Sequence, residues 1–442
     1  MLKRLLLSLL VGLFLVSAAN AQMKPLEFEK FELDNGLTVL LHQNNSAPVV
    51  TINVLYHVGS KNEKSGRSGF AHFFEHLMFE GSKYIKRGEF DKYLSAVGGN
   101  NNAYTTFDRT LYYENLPSNQ LELGLWLESE RMLHAKVDIE GVETQREVVK
   151  EERRSRYENQ PYGRWQEEVF KRVMKGTPYE TTPIGTMGDL NAAEEADFTE
   201  FYADFYRPDN AVLSIVGDID IAKTKKLVKK YFASIPSPKE PIFRPEIQMP
   251  KLSGEMRDTF YDNNIQLPAL FIAYPSPKQY SKDYYAMEML NTILAGGQSS
   301  RIYKSLVDEK KVALQAASFQ FPMEDVGMNV VLGIVNMNAS LEEMELAIDE
   351  EIEKVKNNLI SEREFQKIKN QQESSFIFNF STNAGIAENL AIYETYQGDP
   401  NLINTEIERY LAVTPEDIKR VANKYLNKEN RLVLFWLPGT GE

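Results

Sequence analysis

Cysteine is absent from all 442 residues. Its absence excludes disulfides, thiolate metal ligands and a lipid-modified cysteine anchor. A chain without thiols is safe in an oxidising compartment. Histidine is scarce too. There are five, His42, His57, His72, His76 and His134, and none in the second half of the chain. A metal site here must use His, Asp and Glu, and the second half cannot hold one that needs imidazole. After residue 21 no run approaches 18 apolar residues, so the mature chain should lack a membrane-spanning helix. Basic residues are in deficit, 50 Lys and Arg against 63 Asp and Glu, for a net charge of −13. That balance disfavours nucleic acid as a partner and is compatible with basic peptides.

Residues 1–21 have the form of an export signal. Lys3 and Arg4 supply the positive start, Leu5 to Val16 the apolar stretch, and Ala19-Asn20-Ala21 a small-residue cleavage site. The mature chain is expected to begin at Gln22, to carry a charge of −15, and to be periplasmic or secreted without a stable membrane anchor. Its length suits two domains of about 200 residues each. Between them runs a segment with Pro236, Pro238, Pro241, Pro245 and Pro250, which cannot build a helix. The expected division is therefore 22–235, a linker at 236–252, and 253–442.

The two parts repeat one pattern. In the first, alternating residues flank Asp34-Asn35-Gly36 as in a hairpin, Val49–His57 reads as a strand and Ser68–Phe79 as a helix. In the second, Leu267–Tyr274 reads as a strand and Asp283–Leu294 as a helix. Each part ends on a helix and a strand, Asn210–Val216 and Asn430–Leu437. Long helical stretches lie between, including Ile139–Glu158 and Glu362–Phe380. Strands and helices mix without strict alternation. The expected class is α+β, with two homologous domains, each a mostly antiparallel sheet with helices packed on one face.

The chemistry concentrates in His72-Phe73-Phe74-Glu75-His76. Residues at i and i+4 share a helix face, so both imidazoles can reach one metal ion. Glu75 projects beside them, where a carboxylate can accept a proton from attacking water. Packing or capping histidines would give the same spacing. The order His-x-x-Glu-His is, however, the inverzincin signature.

With this motif the chain resembles the pitrilysin/insulinase family, in its half-length branch with the mitochondrial processing peptidase and bacterial relatives. The resemblance spans essentially the whole mature chain. It implies one zinc ion per chain, held by His72, His76 and a glutamate on a later helix. Gln145-Arg146-Glu147-Val148-Val149-Lys150-Glu151-Glu152 matches that helix, and Glu152 lies 76 positions after His76. Asn102, Ala103 and Thr105 match the edge strand on which family members hold substrate. Two departures stand out. Gln145 replaces a supporting glutamate, leaving that support weaker or to Glu147 or Glu143. Val307 and Leu314 stand where active members carry an arginine and a tyrosine that bind the substrate carbonyl, with Arg301 and Tyr303 near but out of register.

The resemblance implies an endopeptidase subunit acting on short or unfolded peptides, through a metal-bound water with Glu75 as general base. It forms half of a clamshell. A second related subunit supplying the Arg and Tyr would complete it, with a homodimer as the alternative. A non-catalytic structural or partner subunit, or a periplasmic zinc or peptide carrier, are the competing readings.

Overall fold

The computed structural model describes residues 25–439, so the expected signal segment at 1–21 lies outside the described residues. Among the described residues eleven strands form two sheets. The first contains β1 (Glu29–Glu32), β2 (Thr38–Gln43), β3 (Val49–Tyr56), β4 (Asn100–Thr105), β5 (Thr110–Pro117) and β6 (Ala211–Gly217). The second contains β7 (Met256–Asp262), β8 (Ala269–Ser276), β9 (Ala313–Pro322), β10 (Gly327–Val335) and β11 (Leu432–Pro438).

Their orders are β1-β2-β6-β3-β5-β4 and β7-β11-β8-β10-β9. Setting β1 aside, the two sheets have one topology. In each, the strand before the first antiparallel excursion pairs in parallel with the last strand, β2 with β6 and β7 with β11. The remaining neighbours are antiparallel. The repeated pattern in the sequence is thus a repeated fold, and both halves are mixed α and β. The hairpin at Asp34-Asn35-Gly36 forms, with Gly36 at φ +86° and Glu32 opposite Thr38. Gly36 is tied to this turn twice over, because a Cβ there would also meet Asp209 at 2.7 Å.

Helices of the first half cover one face of the first sheet, packing Phe73, Phe74, Leu125 and Val149 against Val39, Ile52, Val54 and Tyr112. In the second half, Leu290, Ile348 and Ile418 cover Leu270, Ile272 and Val433 in the same way. Each sheet has its other face covered by a helix from the opposite half. Helix Asn383–Gln397 sets Ile386, Leu390 and Ala391 against Leu40, Leu55 and Val212. Helix Trp165–Val173 sets Val169 and Phe170 in one cluster with Phe271, Val330 and Trp436. This reciprocal exchange buries apolar surface that an isolated half would expose.

Residues 236–255 contain neither helix nor strand. The segment is strapped down rather than free. Arg207 donates to the carbonyl oxygens of Pro238 and Glu240, and Arg244 to His57 O and Asn210 Oδ1. A second tie joins the β4–β5 turn to the β9–β10 turn. Lys61 Nζ lies 3.1 Å from Asp108, 2.6 Å from Glu324 and 3.0 Å from Asp325, and its side chain is 3% exposed. The Tyr179 hydroxyl lies 2.6 Å from Asp108 and 2.9 Å from Asp325, with one proton for the pair. Among the described residues no helix is long and apolar enough to cross a membrane.

Candidate metal centre

Helix Phe70–Leu77 is two-faced. Phe70, Phe73, Phe74 and Leu77 are buried, and their rings meet Phe198, Phe201, Tyr202 and Tyr206. The opposite face carries His72, Glu75 and His76. The apolar face therefore fixes the rotation of the helix and aims the polar one. Its first turn has no side-chain cap from Gly69 itself. Glu63 does that work from outside, accepting from Gly69 N at 3.0 Å and Ala71 N at 2.9 Å. Burial raises the Glu63 pKa, and these backbone bonds oppose the rise.

Helix Ile139–Arg153 brings the third residue. Asp138 caps it, accepting from Gly141 N. Where it ends, Arg153 donates to Gly185 O at 2.7 Å. Gly185 in turn presses on Gly69 at the start of the histidine helix. A Cβ on Gly185 would stand 2.5 Å from Gly69 Cα, and both glycines have positive φ, +71° and +89°. One loop thus ties the end of the Glu152 helix to the beginning of the His72 helix.

Between them three side chains converge. Glu152 Oε2 lies 3.2 Å from His76 Nε2 and 3.6 Å from His72 Nε2. One ligand atom from each residue falls within 4.8 Å of the others. The other carboxylate oxygen of Glu152 pairs with Arg156 at 2.7 Å. Burial foremost, then the neighbouring His76, lowers the His72 pKa to about 4, so the imidazole is neutral at pH 7. The hydrogen bond from His76 holds Glu152 below the usual carboxylate range. A neutral imidazole and an ionised carboxylate are the ligating forms. Two imidazoles and one carboxylate on a rigid frame suit zinc, with a fourth position left for substrate or water. The buried Nδ1 of His72 has no hydrogen-bond partner among the described residues. Glu151, the neighbouring alternative, points elsewhere: it is exposed and pairs with Arg154 at 3.2 Å.

Glu75 is half-buried beside this group. Burial raises its pKa, and the hydroxyl of Thr105, donating to Glu75 Oε2 at 2.6 Å, opposes the rise. Thr105 ends β4, which is the edge strand of the first sheet. Asn102 and Ala103 lie on the same strand, where Asn102 Oδ1 accepts from Ala103 N at 2.9 Å. Among the described residues no strand follows β4 in the sheet, so one rim of its backbone has no sheet partner there.

Gln145 donates to Glu80, which in turn binds Arg87. Neither carboxylate named as a substitute for the missing glutamate is the partner. Glu143 pairs with Arg146 and Glu147 with Lys150. Residues two positions away on a helix point well round from Gln145, so they cannot share its face. Glu80 lies past the end of the histidine helix, and no helical spacing in the sequence singles it out. In the second half Val307 packs on the core and Leu314 sits on β9, 49% exposed. Arg301 is engaged by Glu364 at 2.8 and 2.6 Å.

Residues 38–187 match the family described as insulinase (peptidase family M16), and residues 193–372 the one described as peptidase M16 inactive domain. The zinc protease PqqE of Helicobacter pylori is 33% identical over 99% of this chain and 99% of its own length. The crystal structure of a protease from Helicobacter pylori, 32% identical, aligns with a TM-score of 0.89 over 94% of this chain and 100% of that one. The periplasmic protease PqqL from Escherichia coli has the same fold, with a TM-score of 0.75 at 18% identity. There the alignment covers 94% of this chain but 48% of the other, so this chain has about half that length. By sequence identity along its whole length and by fold, the chain belongs to the insulinase family, peptidase family M16.

Proposed function

We propose that the chain is a zinc-dependent endopeptidase subunit acting on short or unfolded peptides. The observation that carries this reading is the convergence of His72, His76 and Glu152, with Glu75 on the same helix beside them. His72, His76 and Glu152 hold zinc. When bound, zinc supplies a Lewis acid that polarises the scissile carbonyl and lowers the pKa of water. Glu75 takes the proton from the attacking water and returns it to the leaving amine. Ala103 presents its backbone on the rim of β4, beside the side chain of Asn102, and an extended peptide pairs there as an added strand. Such pairing needs substrate backbone without secondary structure of its own, which favours unfolded segments. Gln145 supports the frame through Glu80.

The first half, 22–235, then bears the chemistry, and the second, 253–442, contributes none of the three ligands. A related second subunit supplies the arginine and tyrosine that face the carbonyl. Val307 and Leu314 carry no donor, and an oxyanion needs donors. A homodimer relying on Arg301 or Tyr303 is less favoured, because Arg301 is already held by Glu364. The chain acts after export, released from its leader near Ala21. The experiment is hydrolysis of an internally quenched, unstructured peptide by the chain co-purified with a related subunit. Cleavage should stop with chelator, return with zinc and be lost in Glu75→Gln; zinc-loaded protein that never cleaves contradicts the proposal.

A further inference from the structure

We propose that Thr105 is a positioning residue for Glu75, joining the strand that receives the peptide to the carboxylate that accepts the proton. The inference rests on the reading of Glu75 as general base. Side chains alternate along β4. Tyr104 turns to the face covered by helix Asn383–Gln397, where its hydroxyl donates to Glu388 at 2.6 Å. Ala103 and Thr105 turn to the other face, toward the histidine helix, and Ala103 packs on the core there.

The hydroxyl of Thr105 has a single proton to give. Three oxygens lie within reach: Glu75 Oε2 at 2.6 Å, Ala71 O at 3.5 Å and Thr110 Oγ1 at 3.5 Å. Thr110 gives its own proton to Val58 O at 2.9 Å. Distance and charge both commit the Thr105 proton to the carboxylate.

A glutamate side chain has three rotatable bonds, and one charge-assisted hydrogen bond removes much of that freedom. Thr105 is itself held at both ends. It stands opposite Thr110 in the β4–β5 register, and the following turn closes with Thr106 N donating to Arg109 O at 2.8 Å. A peptide added on the open rim of β4 bonds backbone groups, while the side chain of Thr105 stays directed at Glu75. Seating of the substrate and placement of the base are therefore linked through one residue. A substitution here should act on turnover rather than on peptide affinity.

The test uses steady-state and single-turnover kinetics on the zinc-loaded complex with its partner subunit. Thr105→Val keeps the shape and removes the donor; Thr105→Ser keeps the donor. Thr105→Val should lower kcat roughly 10- to 100-fold, the effect of losing one charge-assisted bond, with KM within about twofold. Thr105→Ser should restore most of kcat. Zinc content should be unchanged in both. In a Glu75→Gln background Thr105→Val should cost nothing further, since the two residues act as a unit. A rise in KM at constant kcat makes Thr105 a substrate contact and overturns the proposal. So does a serine variant as slow as the valine one, full additivity with Glu75→Gln, or loss of zinc from Thr105→Val. An active Glu75→Gln enzyme refutes the base assignment itself, a result distinct from all of these.

Discussion

Glu152 Oε2 stands 3.2 Å from His76 Nε2, across 76 residues of chain. Its neighbour Glu151 is exposed and bound to Arg154. Glu152→Gln is therefore expected to weaken zinc binding severely, because an amide is a poor replacement for an anionic ligand. Glu151→Gln should leave it unchanged. Zinc affinity by competition with a chromophoric chelator distinguishes the two; the reverse result moves the ligand by one residue.

Glu75 points to the same space but is not one of the three converging ligands. Glu75→Gln should keep one zinc per chain and lose about 10²- to 10⁴-fold in kcat, the usual cost of a missing general base. Near-normal turnover in that variant contradicts the assigned role.

The ion cluster between the halves makes a separate prediction about stability. Lys61 is buried among Asp108, Glu324 and Asp325. Lys61→Met removes the buried cation that all three carboxylates share and should destabilise the protein by roughly 3–5 kcal/mol, read from denaturant unfolding. The groups facing Glu324 are His57 at 2.7 Å and Lys61 at 2.6 Å, with Arg244 and Tyr396 more distant. Against its burial, the hydrogen bond and charge of His57 and those of Lys61 bring the Glu324 pKa down to about 2. A depressed carboxyl pKa contributes stability above its unfolded value and loses it as pH falls toward the folded one. Acid unfolding should therefore draw on Glu324 between about pH 4.5 and 2. Glu324→Gln should flatten the stability curve there; an unchanged acid limb counts against the cluster as a clamp.

Oxyanion donors are the basis for expecting a partner. With Val307 and Leu314 at the places that resemblance assigns to them, the chain alone should cleave unstructured peptides about 10²- to 10³-fold more slowly than its complex with a related subunit. Full activity of the isolated chain, lost on mutating Arg301 or Tyr303, favours the homodimer instead.

Local signals in the sequence went far. The i, i+4 histidines lie on one helix face because four apolar neighbours, Phe70, Phe73, Phe74 and Leu77, claim the other. The hairpin glycine, the paired strands and the unstructured proline segment follow from backbone preference alone. Glu152 was different. Nothing local separates it from Glu151 or Glu147, and only family resemblance singled it out. Tertiary exchange was beyond reach as well. Helix Asn383–Gln397 has apolar residues on a face any helix could bury, and its sequence does not say that the sheet of the other half receives it. The bond of Thr105 to Glu75 and that of Gln145 to Glu80 depend on how separate elements meet, which residue spacing within one element does not encode.

The most direct test of the metal centre is zinc stoichiometry by native mass spectrometry on the purified chain. The wild type should carry one zinc per chain, and His72→Ala or His76→Ala should carry none while retaining the wild-type circular dichroism spectrum. Undiminished zinc in either histidine variant would contradict the account.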